Sequence, residues 1–297
     1  MNDPGFDWLF FAEISLAGLG SGGLLALTGL AFVIIYKATK VVNLAIGELL
    51  MISAYLFFAL SATAGLPIWA AILGTLIASG LLGALIERTL IRPMLGESAI
   101  STFMVTVGLA SMLVGVVELL WTADPQRLPE FMPGDPVLLG PAMVAPKVFY
   151  GFLLTALLIA AVLLVFRFWR GGVALRATAS DQAAAYSMGI NVPRVFSLAW
   201  AAAAVIAAVA GIVVGAIGGI SSTMGVFGLS VLVVVIVGGL DSVVGALVGG
   251  LLVGLVEAWA GAYLGGAYKM IATFSLLVLV LLVRPYGLFG THEIERL

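Results

Sequence analysis

Long apolar runs separated by short polar breaks recur along the whole of this chain. Most runs approach or exceed the roughly 20 residues that a helix needs to cross the hydrocarbon core of a bilayer. Strand-like alternation is absent, and helices satisfy their own backbone groups in lipid, so the pattern predicts transmembrane helices. The predicted spans cover residues 9–36, 43–61, 67–86, 100–121, 148–166, 196–217, 227–240, 243–264 and 270–283.

The predicted fold class is therefore all-α, a polytopic bundle of eight or nine spans that forms a single domain over residues 1–297. The seventh run, residues 227–240, is short for a crossing. It is either a full span accommodated by tilt or a re-entrant segment held inside the protein. Composition agrees with a membrane protein, since 63% of the residues are hydrophobic and 9% are charged, and mean hydropathy is +1.23.

Basic residues set the expected orientation, because short cytoplasmic loops carry an excess of lysine and arginine. An external N-terminus puts most of them in the cytoplasm, together with the C-terminus, and puts the Pro-rich, acidic loop of residues 122–147 outside. The N-terminal residues lack the basic region of a cleaved signal peptide, so the first run is expected to stay as a span. The inner set is Lys37, Lys40, Arg88, Arg92, Arg167, Arg170, Arg176, Arg194, Arg284 and Arg296; the outer set is Arg127, Lys147 and Lys269.

One long polar interruption, residues 167–194, stands between two strongly apolar runs. It is rich in alanine, which favours a helix over an open loop. The orientation above places it in the cytoplasm. It is either a docking surface for another protein or a solvated loop.

The sequence contains few of the residues that catalysis or cofactor binding requires. His292 is the only histidine, it lies beyond the last run, and there is no cysteine. The spans therefore lack the ligands of histidine triads and of His- or Cys-based metal sites. No Gly-rich loop ends in Lys-Ser or Lys-Thr, so a phosphate-binding loop is absent. We expect a protein that is not an enzyme and that binds no metal, cofactor or nucleic acid.

Beyond the first span, three carboxylates fall inside predicted spans, where an ionised group costs roughly 2.5 to 3.5 kcal/mol on insertion scales. Glu48 is the strongest candidate, because Asn43 is near it and Gly47 permits close approach of backbone or ligand. It either lines a transport pathway or anchors one helix to another. Glu118 is placed to reach the membrane interface, and Glu257 to pair with a neighbouring helix.

Hydroxyl side chains punctuate the fourth span at Thr102, Thr106 and Ser111. Hydroxyls within spans commonly bond to carbonyls of their own helix, and lining a pathway with Asn43 and Glu48 is the alternative. Glycines at four-residue spacing are expected to pack helices within the chain, with dimer formation as the alternative. These pairs include Gly18 and Gly22, Gly211 and Gly215, and Gly250 and Gly254.

Four stretches stand out: VVNLAIGELLMISAY, with the pattern Asn-x-Ala-x-Gly-Glu; IERTLIRPM, with Glu-Arg followed by Arg-Pro; GGLDSVVGALVGGLLVGLVE; and RPYGLFG. Together they resemble the permease subunits of branched-chain amino acid ABC importers, the LivH-type family. The resemblance spans nearly the whole chain in the family's order, and it implies the fold of a type II ABC-importer permease. Ile46, Ser230 and Asp241 stand where the family often has His, Lys and Gly.

The resemblance also implies a role for the polar interruption. ABC importers dock on their ATPase subunits through a coupling helix with Glu-Ala-Ala followed by Gly, and ASDQAAAYSMGI is similar to it. Residues 168–195 would then be the coupling segment. Asp181 takes the acidic position, Ala184 is among the small residues, and Gly189 forms the turn. Arg176 and Arg194 are placed to pair with acidic groups on the ATPase.

The implied function is ATP-driven import of branched-chain or other hydrophobic amino acids across a bacterial inner membrane, with urea, short amides or other small carboxylates as alternative substrates. The implied partners are two ATP-binding cassette subunits that hold ATP and Mg, a periplasmic substrate-binding protein, membrane lipid, and a second permease. That second permease is LivM-like or another copy of this chain. The rival class is an autonomous channel or ion-coupled carrier in which Glu48 couples the ion.

Overall fold

The computed structural model describes residues 7–139 and 142–291, so His292 and Arg296 lie outside the described part. Most of the described chain is helical. The helices are α1 (Trp8–Thr39), α2 (Ile46–Phe58), α3 (Ile68–Ile86), α4 (Ala99–Trp121), α5 (Pro146–Phe168), α6 (Arg170–Ser180), α7 (Gln182–Ser187), α8 (Val192–Gly218), α9 (Phe227–Gly238), α10 (Val243–Tyr263) and α11 (Tyr268–Val283). π-Helical turns follow α2 (Ala59–Thr63) and α3 (Glu87–Ile91), and 3₁₀ turns lie at Arg92–Met94 and Ser222–Val226.

These helices confirm the predicted transmembrane bundle. Within the described residues, seven helices are long and apolar enough to cross a membrane. Two shorter apolar helices, Ser222–Gly238 and Tyr268–Val283, correspond to the seventh and ninth predicted runs. Each of the nine predicted runs is therefore helical over most of its length.

A small β-hairpin departs from the all-α prediction. Strand β1 (Val137–Leu139) pairs antiparallel with strand β2 (Ala142–Val144) in the loop between α4 and α5. Strands of three residues are too short to leave a clear alternation in the sequence. The same loop pairs with the segment after α8, where Gln126 and Ile220 exchange two backbone hydrogen bonds of 2.8 Å.

Helix α1 forms the centre of the bundle, and residues 22–35 are buried on every side. It packs directly on α10. A methyl group added at Gly22 would lie 2.9 Å from the Gly250 carbonyl oxygen, and one added at Gly254 would overlap the backbone of Gly22. These glycines therefore pack helices within the chain, which is the first of the two predicted alternatives.

We call the end of the bundle that holds Lys40, Arg92 and Arg284 the basic end. Residues 284–291 fold back there over the end of α9. The Leu288 and Phe289 N–H groups donate to the carbonyls of Val237 and Gly238 at 2.8 and 2.9 Å. The C-terminal stretch RPYGLFG is thus a docked tail.

Asp241 holds the end of this tail. The backbone N–H and the hydroxyl of Thr291 both donate to its carboxylate. Burial alone would raise the pKa of Asp241, but the hydrogen bonds from Thr291 and the charge of Lys37 outweigh it, so the pKa is lowered. The carboxylate that stands where the family often has glycine is therefore a tail contact in this chain.

Candidate functional site

Helix α2 begins inside the bundle rather than at its end. The Leu44 N–H donates to the Thr106 hydroxyl at 3.3 Å, and Thr106 lies about 10 Å along α4 from the first residue of that helix. Asn43 is fully buried, and its Oδ1 accepts from the Ala45 N–H at 3.0 Å. Its Nδ2 has no partner among the described residues. Because buried donors are nearly always paired, this amide is a candidate for contact with a ligand.

The 3₁₀ turn before α9 meets the first turn of α2. A methyl group added at Gly47 would overlap the Gly225 carbonyl and lie 2.7 Å from the Gly228 backbone nitrogen. The two backbones therefore touch with no side chain between them, which is the close approach that Gly47 was expected to allow. The Glu48 carboxylate lies against Gly225, where an added methyl would be 2.6 Å from Glu48 Oε1. Helix α9 thus starts inside the bundle.

Glu48 keeps one carboxylate oxygen without a partner. Its Oε2 is buried and makes no hydrogen bond to any residue in the described part of the chain. Glu257 differs, because its Oε1 lies 2.8 Å from the Ser230 hydroxyl on α9 and 3.0 Å from the Thr273 hydroxyl on α11. Glu257 pairs with neighbouring helices, as expected, while Glu118 is exposed near the end of α4.

The other three predicted pathway residues lie in three different places. Thr106 joins Asn43 and Glu48 around the start of α2. Thr102 is buried and lines a cavity of about 610 Å³ at the basic end, between the loop after α1 and the first turns of α4. Ser111 does not join them: it lies on the exposed face of α4 and bonds back to its own helix.

The polar interruption is helical, as predicted. Asp181 separates α6 from α7 and caps α7, because its Oδ1 accepts from the Ala184 N–H at 2.9 Å. Gly189 follows with φ +83°, a left-handed conformation that glycine adopts most readily. The nearby Tyr186 and Met188 are 71% and 82% exposed. Helix α7 therefore stands at the basic end with an apolar, uncovered tip.

Arg176 makes a contact that the sequence did not predict. Its guanidinium donates to the carbonyls of Phe166 and Arg167 at the end of α5, where a cation suits the helix dipole. Arg176 therefore links α6 to the end of α5 and stabilises the turn between these two helices. Arg194 keeps the exposed position that a docking residue needs.

An ion pair at the end of α3 was also not predicted. Arg92 donates from Nε to Glu87 Oε1 at 2.9 Å and from Nη2 to Glu87 Oε2 at 2.7 Å. From α8, the Ser197 hydroxyl donates to Glu87 Oε2 at 2.6 Å, and the Pro193 carbonyl accepts from Arg92 at 3.0 Å. We call Glu87, Arg92, Pro193 and Ser197 the Glu87 clasp. The sequence feature that could have indicated this ion pair is the five-residue spacing of Glu87 and Arg92, because a π-helical turn places residues at this spacing on the same side of the helix.

The bundle as a whole matches one protein family. The family described as "Branched-chain amino acid transport system / permease component" matches residues 14–283. The chain belongs to this permease family. Membership agrees with the apolar helices in identifying a multi-pass membrane protein, and members of the family are transport permeases.

Relatives of the permease match over nearly its whole length. It is 30% identical to LivH of Salmonella typhimurium, a high-affinity branched-chain amino acid transport permease, over 97% of this chain and 98% of LivH. It is 31% identical to BraD of Pseudomonas aeruginosa, described in the same words, over 94% and 95% of the two chains. The solved structure of PsaBC from Streptococcus pneumoniae in complex with Fab aligns with a TM-score of 0.50 and 14% identity, over 93% of this chain and 92% of that one. At this identity the likeness concerns the fold alone.

Proposed function

We propose that this permease is the membrane subunit of an ATP-driven importer of branched-chain or other hydrophobic amino acids. Family membership supports the substrate class, and helix α7 is the observation that supports the use of ATP. A short helix with a capped start, a glycine end and an uncovered apolar tip fits a cleft on a partner protein. In this proposal α7 docks on an ATPase subunit, and residues 168–195 form the coupling segment.

The proposed orientation places the basic end in the cytoplasm of a bacterium, because basic loops stay on that side of the inner membrane. Two ATP-binding cassette subunits, which hold ATP and Mg, dock there. The loop of residues 122–147 receives a periplasmic substrate-binding protein. A second permease, LivM-like or another copy, covers the exposed face of α4, where methyl groups added at Gly108 and Gly115 would meet nothing within 4 Å.

The proposed substrate path passes the meeting point of α2 and α9. Helix starts carry unpaired N–H groups and the positive end of the helix dipole, which suit a carboxylate. Glu48 supplies a negative charge that suits an ammonium group. Free amino acids carry both charged groups, whereas the alternative substrates urea and short amides carry neither. Asn43 and Thr106 add hydrogen-bonding groups beside the same turn.

The decisive experiment changes Gly189 to leucine in the complete transporter, reconstituted in liposomes with its ATPases and binding protein. A methyl group added at Gly189 meets nothing within 4 Å, so the cost of the change within the chain is the strain of its positive φ. We expect ATP hydrolysis to continue while amino acid uptake falls. Gly65→Leu is the matched control, because Gly65 also has a positive φ (+65°) and open space but lies between α2 and α3 at the opposite end. Unchanged uptake per ATP in Gly189→Leu would contradict the docking role.

The same liposomes separate the importer from an autonomous carrier. The importer requires ATPase subunits and ATP, so the permease alone should not move leucine across the membrane. Leucine uptake by the permease alone, driven by an ion gradient without ATP, would replace the proposal with the carrier alternative.

A further inference from the structure

The Glu87 clasp contacts α8 at the end of the coupling segment, through Pro193 within it and Ser197 just after it. Asn191 caps the start of α8 by accepting from the Arg194 N–H at 3.1 Å. Pro193 and Ser197, the two residues of α8 that belong to the clasp, follow within the first two turns. The polar contacts of α3 are therefore made at the point where the coupling segment enters the bundle.

Close packing extends this contact along both helices. A methyl group added at Gly83 of α3 would lie 2.6 Å from the Trp200 carbonyl oxygen and 2.6 Å from the Ala204 Cβ. The Trp200 side chain is fully buried at the same place. Since packed interiors do not deform continuously, α3 cannot slide past α8 without a collision.

The clasp also resists separation of the two helices. Glu87 is fully buried, and its oxygens accept from both Arg92 and Ser197. Moving α8 away would remove the Ser197 hydrogen bond from the buried Glu87 carboxylate. It would also remove two acceptors from Arg92, the Pro193 carbonyl and the Ser197 hydroxyl. The loss of a partner by a buried charged group is costly, so α3 and α8 should move as one body.

We propose that the Glu87 clasp carries movement of the coupling segment from α8 into α3, which makes Glu87, Arg92 and Ser197 positioning residues for the coupling of ATP hydrolysis to transport. The inference rests on the proposed function, because it needs an ATPase that moves α7. Helix α3 continues the path, since Ser79 hydrogen-bonds Ser53 of α2 at 2.8 Å. Helix α2 in turn carries Glu48.

The test measures leucine uptake and ATP hydrolysis together in the complete reconstituted transporter. Arg92→Lys keeps the positive charge but cannot reproduce two parallel hydrogen bonds from one planar group. We expect uptake per ATP to fall by about threefold to tenfold while hydrolysis continues, as for the loss of one or two interhelical hydrogen bonds in a membrane. Arg88→Gln is the matched control, because Arg88 lies in the same π-helical turn but is exposed.

Ser197→Ala provides a second variant that keeps both partners of the ion pair. Uptake per ATP should fall by a smaller factor than in Arg92→Lys. If the Arg92→Lys transporter fails to assemble, Ser197→Ala alone tests the inference. Wild-type uptake per ATP in the assembled variants would overturn the inference, as would a parallel fall of uptake and hydrolysis. If the wild-type transporter itself shows no link between ATP and uptake, the proposed function fails instead.

Discussion

Two carboxylates, Glu87 and Glu48, show opposite solutions to placing a charge among apolar helices. Glu87 is fully buried and accepts hydrogen bonds from Arg92 and Ser197. Glu48 lies against Gly225 with one buried oxygen that has no partner in the described chain. A fully satisfied group stabilises one arrangement of helices, whereas an unsatisfied group leaves a bond for a ligand to make. The difference supports the proposed coupling role of Glu87 and the proposed place of Glu48 on the substrate path.

Removal of Glu87 should have the largest effect on stability. Glu87→Ala leaves Arg92 without its carboxylate, and Arg92 has 33% of its side chain exposed. The free energy of unfolding should therefore fall by about 3 kcal/mol, at the lower end for a broken buried pair. Denaturant or thermal unfolding in detergent would show this, with Arg88→Ala as the control in the same turn. Wild-type stability in Glu87→Ala would remove the distinction between the two carboxylates.

Glu48→Gln should show the opposite pattern: the free energy of unfolding should change little, and transport should fall strongly. The amide has the shape of the carboxylate and is cheaper to bury. Leucine uptake should nevertheless fall by about tenfold or more, since a hydrogen bond to a charged group is lost. Glu118→Gln, at an exposed position of α4, should retain uptake. Loss of assembly rather than of transport in Glu48→Gln would favour the helix-anchor alternative.

Glu257 should give the smallest effect of the three. Glu257→Leu removes the acceptor shared by Ser230 and Thr273, but Thr273 can still donate to the Lys269 carbonyl at 2.9 Å. Interhelical hydrogen bonds in membranes contribute about 0.6 kcal/mol on average, so the free energy of unfolding should fall by about 1 kcal/mol. Glu257→Gln keeps an acceptor and should be nearly neutral. A transport defect in Glu257→Gln with normal stability would place Glu257 on the path as well.

Local composition was sufficient to predict much of the structure of this protein. The nine apolar runs and the helical polar interruption depend on neighbouring residues, and the structure has both. The acidic position at Asp181 and the turn at Gly189 came from the family resemblance, and in the structure Asp181 caps α7 and Gly189 has a positive φ. The glycine pairs were also readable, because close helix packing needs small residues one turn apart. The hairpin of β1 and β2 was not, because strands of three residues carry almost no periodic signal.

The sequence by itself determined that this is a helical membrane protein, and its motifs indicated which permease family it resembles. Only the tertiary structure decided which carboxylates are satisfied. Glu87 meets Ser197 across 110 positions of the chain, and Glu48 lies against Gly225. Composition shows that a buried charge needs a partner, but the distance between two side chains depends on how helices far apart in sequence pack. The different surroundings of Glu87 and Glu48 are therefore a property of the folded bundle.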